Sequence, residues 1–291
     1  MPELPDLVYL EKRLAERLTG RVLGAVTVWE PIVIRMLVPG SFAENLTGRA
    51  FQSVRRHGPF LVFSLTDRLL VTHLMLAGRF HDLPPGARSL PRDRCFSLGL
   101  DDGGTLVYSD GKKMGKIYLD GRSGGEPEHP ASIPLFREQG LDISSDAFTP
   151  QSFRAAIRGK RHQVRVFLMD QRSLSAIGNA YADEILFDAR LHPKTRCSEL
   201  GEEEVDRLFA SVRKVMEWGI TEVEDAAKPI DVKVRDHMKV RNRKGESCPA
   251  CGQTIRRASV LGYDTFFCPS CQPLPEGGSA RARALPWDKL P

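Results

Sequence analysis

The chain of 291 residues lacks long apolar runs and a strong charge imbalance. No run approaches about 18 consecutive apolar residues, so the sequence excludes a membrane-spanning helix. The first residues, MPELPDL, contain neither the basic segment nor the apolar segment of a secretory signal, so we expect a cytoplasmic protein. The 42 Lys and Arg exceed the 37 Asp and Glu by only five, so the total charge does not indicate a polyanionic partner.

Cysteine is also scarce, and the six that are present are unevenly distributed. Four of them form two Cys-x2-Cys pairs separated by sixteen residues: Cys248, Cys251, Cys268 and Cys271. This spacing is typical of a four-thiolate zinc ribbon, and a site with four protein ligands is closed and therefore structural. Disulfides are the alternative, which the absence of a secretory signal disfavours. The isolated Cys95 and Cys197 are predicted to be small buried residues.

The basic residues are concentrated around the start of the zinc-binding pattern. Residues 228–261 contain nine Lys and Arg but only three Asp and Glu, and this surplus of six exceeds the surplus of the whole chain. Such a cluster is typical of nucleic-acid binding. A solvated basic face explains the cluster equally well when it is considered by itself.

Hydrophobic periodicity divides the chain into a β-rich and a helical part. Leu7, Leu10, Leu14 and Leu18 recur at helical spacing, and Gly20 marks the end of that helix. From Val22 to about Leu119, short β-branched and apolar runs then predict an antiparallel β-sandwich or barrel; examples are the runs at 22–29, 60–65, 69–76, 96–100 and 105–108. Beyond a linker rich in Gly, Pro and Ser, the pattern predicts helices at 150–157, 163–170, 179–187 and 202–219.

These patterns predict an α+β protein with several domains. We expect a β-sandwich domain at 1–120, a linker at 121–134, a helical domain at 135–240 and a zinc finger at 241–272. The tail at 273–291 contains four Pro and two Gly, a composition typical of disorder.

The N-terminus contains a candidate nucleophile. Removal of Met1 would leave Pro2 with a free secondary amine, and α-amines titrate near neutral pH. A neutral amine attacks electrophilic carbon and forms an iminium, and Glu3 beside it is able to transfer protons. The alternative is purely structural, because Pro suits the first turn of a helix and an acid interacts well with its N-terminal dipole.

Four segments together resemble the formamidopyrimidine-DNA glycosylase / endonuclease VIII family. They occur in the family's order across residues 1–272 and read MPELP at 1–5, IGNAYADE at 177–184, LHP at 191–193 and RKGESC at 243–248. The opening by itself is a weak signal. The opening, the GN-x-YA segment and the zinc ribbon together are specific.

The resemblance implies a fold and a reaction. The fold is an N-terminal helix on an antiparallel β-sandwich, followed by a helix-two-turn-helix domain and a zinc β-hairpin. The activity is that of a bifunctional DNA glycosylase/AP lyase of base excision repair. It flips the damaged nucleotide, attacks C1′ with the Pro2 amine and cuts the strand by elimination. Glu3 would serve as the acid/base, and Asn179 would hold a phosphate beside the lesion.

The resemblance also implies partners and location. The expected ligand is double-stranded DNA containing a damaged base or an abasic site, and the expected cofactor is one structural zinc ion. We expect no membrane partner, a monomeric protein and a cytoplasmic, nucleoid-associated location of bacterial type. Lys160 is expected on the DNA side of the helical domain, with a solvated face as the alternative.

The chain departs from the family pattern where a catalytic Lys is usual. Pro59 occupies that position and supplies neither charge nor proton. The neighbouring Arg55, Arg56 and His57 are the candidates to replace it, and we expect Arg56 and His57 to contact DNA. In addition, Asp6 replaces the family's second Glu of P-E-L-P-E and is one methylene shorter.

Further departures fall on residues expected to face DNA. The family's void-filling Met is replaced by Leu76 or displaced to Met75. The family's wedge segment D-P-R-R-F-G reads DGKKMG at 110–115, where Lys112 and Lys113 retain the charge and Met114 is an apolar wedge. The Arg of the zinc finger is replaced by Tyr263.

These departures leave several hypotheses open. The chain is an ordinary glycosylase in which neighbouring groups compensate, or a divergent branch with altered lesion choice. The alternative is a damage- or structure-specific DNA-binding protein with weak or lost glycosylase activity. An unrelated zinc-ribbon nucleic-acid protein is a third possibility, against which the Pro-Glu opening and the GN-x-YA segment argue.

Overall fold

The computed structural model describes residues 1–122 and 133–274. The chain divides into two compact units. The first comprises Met1–Glu138 with Val223–Val234, and the second comprises Gln139–Glu222 with Arg235–Pro291. Most of the expected linker and nearly all of the expected disordered tail lie outside the described residues. No helix within the described ranges is long and apolar enough to cross a membrane.

The first unit begins with helix α1, Leu4–Leu18. The four leucines with helical spacing, Leu7, Leu10, Leu14 and Leu18, are all buried, which confirms the predicted amphipathic helix. Glu3 is the N-cap residue. The chain leaves the helix through Thr19 and Gly20, where Gly20 has a φ of +84° that favours glycine.

Two sheets and one short helix complete the β-rich part of the first unit. The five-stranded sheet has the order β2-β9-β5-β4-β3, and the four-stranded sheet has the order β1-β7-β8-β6. The elements are β1 Leu23–Val28, β2 Ile34–Met36, α2 Phe42–Leu46, β3 Phe51–His57, β4 Phe60–Leu65, β5 Arg68–His73, β6 Arg79–Leu83, β7 Arg94–Leu100, β8 Thr105–Ser109 and β9 Lys116–Gly121. All pairs are antiparallel except β2 with β9 at one edge, so the predicted antiparallel β-sandwich is confirmed with one parallel pair.

Aromatic side chains fill the space between the two sheets. Phe63 of β4 and Phe80 of β6 meet edge to face with ring centroids 5.5 Å apart. Phe80 in turn contacts Tyr108 of β8 at 5.4 Å, and all three residues are buried. The contact of inner-face residues from both sheets is the packing of a β-sandwich.

The segment Val223–Val234 packs against this sandwich and its helix. The Tyr9 hydroxyl donates to the backbone oxygen of Lys228 at 2.7 Å, and Lys12 forms an ion pair with Glu224 at 2.9 Å. The expected helical domain at 135–240 included this segment, and the structure places it in the first unit instead. The segment lies in the first unit because polar and charged residues of α1, far away in sequence, bind it.

Among its described residues, the second unit contains three helices, most of a fourth and one hairpin. The elements are α3 Pro150–Ile157, α4 Val164–Met169, α5 Asn179–Asp188, α6 Glu202–Ala226, β10 Arg256–Val260 and β11 Tyr263–Phe267. The last turn of α6, from Val223, belongs to the first unit. Phe153 of α3 packs against Phe167 of α4 and Phe209 of α6, with ring centroids 5.7 Å apart in both pairs. Helix α6 continues beyond the predicted end at Gly219, where a Cβ would overlap the ring of Tyr181.

Candidate active site

The first turn of α1 places Pro2 and Glu3 at a buried helix start. Asp6 Oδ2 accepts a hydrogen bond of 2.8 Å from the Glu3 backbone N–H, in a capping box between the two acids. Pro2, Glu3 and Asp6 are all buried. The Asp6 side chain, although one methylene shorter than Glu, therefore reaches the Glu3 backbone N–H. The role of Pro2 and Glu3 in starting the helix is compatible with a reactive amine at Pro2.

The environment of the N-terminus lowers the basicity of its amine. The pKa of the Met1 α-amino group falls from 8.0 to about 6, chiefly because burial penalises the ammonium form. The charges of Lys233 and Arg79 lower this pKa further, while Glu3 and Asp6 act in the opposite direction. At neutral pH most of the amine is therefore unprotonated.

Lys233 is a residue near this amine that the sequence did not single out. Pro2, Asp6, Arg79, Asp231 and Lys233 line one small pocket of the first unit. Asp231 also lies 3.3 Å from His81 Nδ1. The only sequence signal for Lys233 was its membership of the basic stretch 228–261.

The turn that carries Pro59 joins β3 to β4. His57 pairs with Phe60, so Gly58 and Pro59 are the two central residues of the turn. Gly58 has a φ of +54° and Pro59 has a fixed negative φ, the combination of a type II′ hairpin turn. Pro59 is buried, so this turn presents no ammonium group at that position.

Two of the three candidate replacements for the missing Lys, Arg56 and His57, make local contacts. The Arg56 backbone N–H donates to Glu11 Oε1 at 2.9 Å, and its guanidinium donates to the Gly58 carbonyl at 3.3 Å. The His57 ring stacks on Phe136 with centroids 4.3 Å apart, and its Nε2 lies 2.7 Å from the Phe136 carbonyl. Both residues thus stabilise the turn and the segment that follows the linker.

The loop 110–115 between β8 and β9 presents Met114 to solvent. Asp110 is buried, and its two carboxylate oxygens accept from the backbone N–H groups of Lys112 at 2.9 Å and Gly115 at 2.7 Å. Lys113 forms an ion pair of 2.7 Å with Glu30. The Met114 side chain is 42% exposed, as an apolar wedge requires.

A second loop, between β5 and β6, exposes Leu76. Leu76 is 55% exposed, whereas Met75 is partly buried and its backbone N–H donates to His73 Nδ1 at 3.1 Å. The Tyr108 hydroxyl lies against both Gly78 of this loop and Gly115 of the loop 110–115, so the two loops are neighbours. Of the two candidates for the family's Met position, Leu76 is the solvent-exposed one.

Asn179 is the first residue of α5, and its side chain contacts Arg165, which belongs to a network of charged side chains. Arg165 Nη2 donates to Asn179 Oδ1 at 2.8 Å, and Arg165 Nε donates to Asp183 Oδ1 at 3.1 Å. Arg241 Nη1 donates to Asp183 Oδ2 at 2.7 Å. Burial raises the pKa of Asp183, and the two guanidinium groups act in the opposite direction.

Glu184 connects the same helix to the segment before the zinc site. Its carboxylate accepts from the backbone N–H groups of Lys239 at 3.0 Å and of Val240 and Arg241 at 2.9 Å. The sequence did not single out Asp183 and Glu184 individually. Two adjacent acids within a helix that is otherwise buried and apolar were the available signal.

The four Cys-x2-Cys residues converge on one point. Their Sγ atoms all lie within 4.8 Å of one another, with Cys248 and Cys271 3.9 Å apart and Cys251 and Cys268 3.5 Å apart. A tetrahedral zinc with Zn–S bonds of about 2.3 Å needs sulfur atoms roughly 3.8 Å apart. The site therefore fits one structural zinc ion, which holds the strands β10 and β11.

The surroundings of Lys160, of the isolated cysteines and of two histidines do not indicate a catalytic role. Lys160 Nζ lies 3.9 Å from Asp170 Oδ2. Cys95 and Cys197 are buried, and burial raises the pKa of both thiols to about 11, so neither is an activated nucleophile. Burial lowers the pKa of His73 and of His192 to about 4, so both rings are neutral near pH 7.

Three domain profiles match most of the chain. The formamidopyrimidine-DNA glycosylase N-terminal domain matches residues 1–117, and the formamidopyrimidine-DNA glycosylase H2TH domain matches residues 139–228. The zinc finger found in FPG and IleRS matches residues 245–274.

Similar proteins and structures cover nearly the whole chain. The formamidopyrimidine-DNA glycosylase of Symbiobacterium thermophilum is 36% identical over 95% of this chain and 91% of that protein. The one of Streptococcus pyogenes serotype M3 is 30% identical over 94% and 98%, respectively. The MutM (Fpg) structure of Thermus thermophilus has a TM-score of 0.79 at 31% identity, covering 93% and 98%. Lactococcus lactis Fpg, in complex with DNA containing an abasic site, shares the fold with a TM-score of 0.83 at 24% identity, covering 94% and 100%.

Proposed function

The chain belongs to the formamidopyrimidine-DNA glycosylase family, and we propose that it removes damaged bases from DNA and cuts the strand at the resulting abasic site. The observation that carries the proposal is the buried N-terminus, where the α-amino pKa is lowered to about 6 beside Glu3. Loss of Met1 transfers the amine to Pro2, which is buried and lines the same pocket as Lys233. A neutral secondary amine in that position is a nucleophile at physiological pH.

The chemistry follows from that amine. The Pro2 nitrogen forms a bond to C1′ of the flipped nucleotide, and the bond between C1′ and the base breaks, with the electron pair leaving on the base. Opening of the sugar ring at O4′, which takes up a proton, produces an iminium at C1′. Loss of a C2′ proton then expels the 3′ phosphate. We assign to Glu3 the proton transfers at the sugar.

DNA binding is assigned to both units. In the first, Lys112 and Lys113 supply charge, and Met114 and Leu76 supply exposed apolar side chains on neighbouring loops. In the second, Asn179 at the start of α5 holds a phosphate and the zinc hairpin holds the backbone. Arg56, His57 and Lys160 remain proposed contacts. The proposed ligand is duplex DNA with a damaged base or an abasic site, bound by a monomer.

Borohydride trapping tests the proposed amine chemistry. Protein whose intact mass confirms the loss of Met1 should form a covalent adduct with a duplex that contains an abasic site. Pro2→Gly replaces the secondary amine with a primary one and removes the ring that fixes it, so trapping should fall at least about tenfold. Pro31→Gly, a change in the same unit but away from the pocket, should trap normally. Unchanged trapping by Pro2→Gly would refute the assignment of the nucleophile.

A DNA-binding protein with weak catalysis is the second candidate function. It is favoured by one observation, namely that Pro59 presents no ammonium group in the β3–β4 turn. This candidate predicts selective binding to a duplex with an abasic-site analogue but no adduct on any damaged substrate. Zinc-loaded protein with a free Pro2 that gives this result would replace the first proposal with the second.

A further inference from the structure

Arg241 brings a guanidinium group close to the position where the family's zinc-finger Arg is missing. Tyr263 occupies that position at the start of β11. Arg241 Nη1 donates to the carbonyl of the next residue, Asp264, at 2.8 Å, and the Arg241 guanidinium lies 5.0 Å from the centre of the Phe266 ring. The cation is therefore held against the same strand that carries Tyr263.

Arg165 connects this guanidinium to Asn179. Arg165 Nη2 donates both to the Asp264 carbonyl at 2.9 Å and to Asn179 Oδ1 at 2.8 Å. Because a guanidinium only donates, the amide oxygen of Asn179 must face Arg165, and its NH2 group points away from it. The Asn179 amide is thereby oriented as a hydrogen-bond donor.

The charged side chains around Asn179 differ in their exposure to solvent. The carboxylate side chain of Asp183 is fully buried and Glu184 is 2% exposed, and the Arg165 side chain is 1% exposed. The Arg241 side chain is 17% exposed. Arg241 uses Nη1 for both Asp183 and Asp264, and among the described residues no acceptor engages its Nε or Nη2. The solvent side of the cluster thus presents positive charge and unengaged donors.

We propose that Arg241 replaces the missing zinc-finger Arg and binds, together with the Asn179 amide, one DNA phosphate at the start of α5. The inference rests on the proposed function, because it assigns a phosphate of damaged DNA to this site. Arg165 is a positioning residue that orients Asn179. An Arg with free donors is suited to an oxyanion of phosphate geometry, and the N-terminus of α5 adds favourable backbone dipoles.

The test measures binding to a duplex with a tetrahydrofuran abasic-site analogue at several salt concentrations. Arg241→Gln should raise Kd about ten- to hundredfold and reduce the slope of log K against log salt by about 0.9, the value for one lost phosphate contact. In that background, Tyr263→Arg should restore both the affinity and the slope, since it returns a guanidinium to the same place. Arg213→Gln, on the exposed face of α6, should change neither.

Stability and rescue separate a contact with DNA from a role in folding. Zinc content and Tm are measured for every variant, because loss of Arg241 leaves the buried Asp183 with fewer partners. Tyr263→Arg in the natural chain keeps Asp183 paired and should leave the salt slope nearly unchanged, because Arg241 already neutralises that phosphate. The proposal is overturned if a folded Arg241→Gln variant binds with the natural slope, or if Tyr263→Arg does not restore the slope in the Arg241→Gln background. If the natural protein does not prefer the analogue over intact duplex, the proposed function itself fails.

Discussion

Single residues define the candidate site, and they differ in how readily the sequence identifies them. Pro2, Glu3, Asn179 and the four cysteines lie within short contiguous motifs, so their residue types and spacing are enough to find them. Lys233 and Arg241 lie in no such motif. Their roles depend on tertiary contacts. Lys233 lines the same pocket as Pro2, which is far away in sequence, and Arg241 contacts Asp183 and β11. Sequence periodicity contains no information about contacts of this kind.

The charge of Lys233 should set the lower pH limit of the amine chemistry. Only the neutral amine attacks, so trapping should rise as the pH passes through the pKa of the Pro2 amine. For the Met1 amine at the same end of the chain, the pKa is lowered to about 6. Lys233 lowers that pKa, so Lys233→Met should raise it and move the rise in trapping rate to higher pH. Lys228→Met, on the same segment, is the control that should leave the profile in place. An unshifted profile for Lys233→Met would contradict the electrostatic role.

At the scale of elements, segments with clear boundaries in the sequence were predicted well, and segments whose formation or ends depend on tertiary contacts were not. The strand at 60–65 and the helix at 150–157 match the structure, because each is a compact run with clear boundaries. Strands β2, β3, β6 and β9 lie outside the runs identified in the sequence, since they contain charged residues and sheet pairing rather than propensity forms them. Helix α6 is longer than predicted because Gly219 accommodates Tyr181 instead of ending the helix.

The loop 110–115 should depend on the absence of a side chain at Gly115. A Cβ there would overlap the Tyr108 hydroxyl and approach Asp110 Oδ2 to 3.0 Å. Gly115→Ala should therefore lower the free energy of unfolding by about 1–3 kcal/mol, measured by urea denaturation. Gly121→Ala meets only Val38 at an ordinary 3.6 Å and should change it little. Equal free energies of unfolding for the two variants would contradict the prediction, because they would show that the loop accommodates a Cβ at residue 115.

At the scale of the whole molecule, the hairpin of the second unit should depend on the bound zinc ion for its structure. Cys251→Ser removes one of four ligands, so bound zinc should fall from one per chain to well below one, and DNA binding should weaken with it. Atomic absorption and the binding assay with the abasic-site analogue measure the two effects. Cys197→Ser, at a buried thiol outside the cluster, should retain one zinc per chain. Full zinc occupancy in Cys251→Ser would contradict the four-thiolate site.

The discontinuous first unit has a consequence for synthesis on the ribosome. Its last segment, Val223–Val234, follows the bulk of the helical unit in the chain, so the first unit stays incomplete after Glu138 has been made. At about 5–20 residues per second, residues 139–234 take roughly 5–20 s to add. During that interval the nascent chain exposes the α1 surface that Lys228 and Glu224 later cover. Lys233 is not yet in place beside the N-terminal amine. The N-terminus is translated first, but its surroundings are among the last parts of the first unit to be completed.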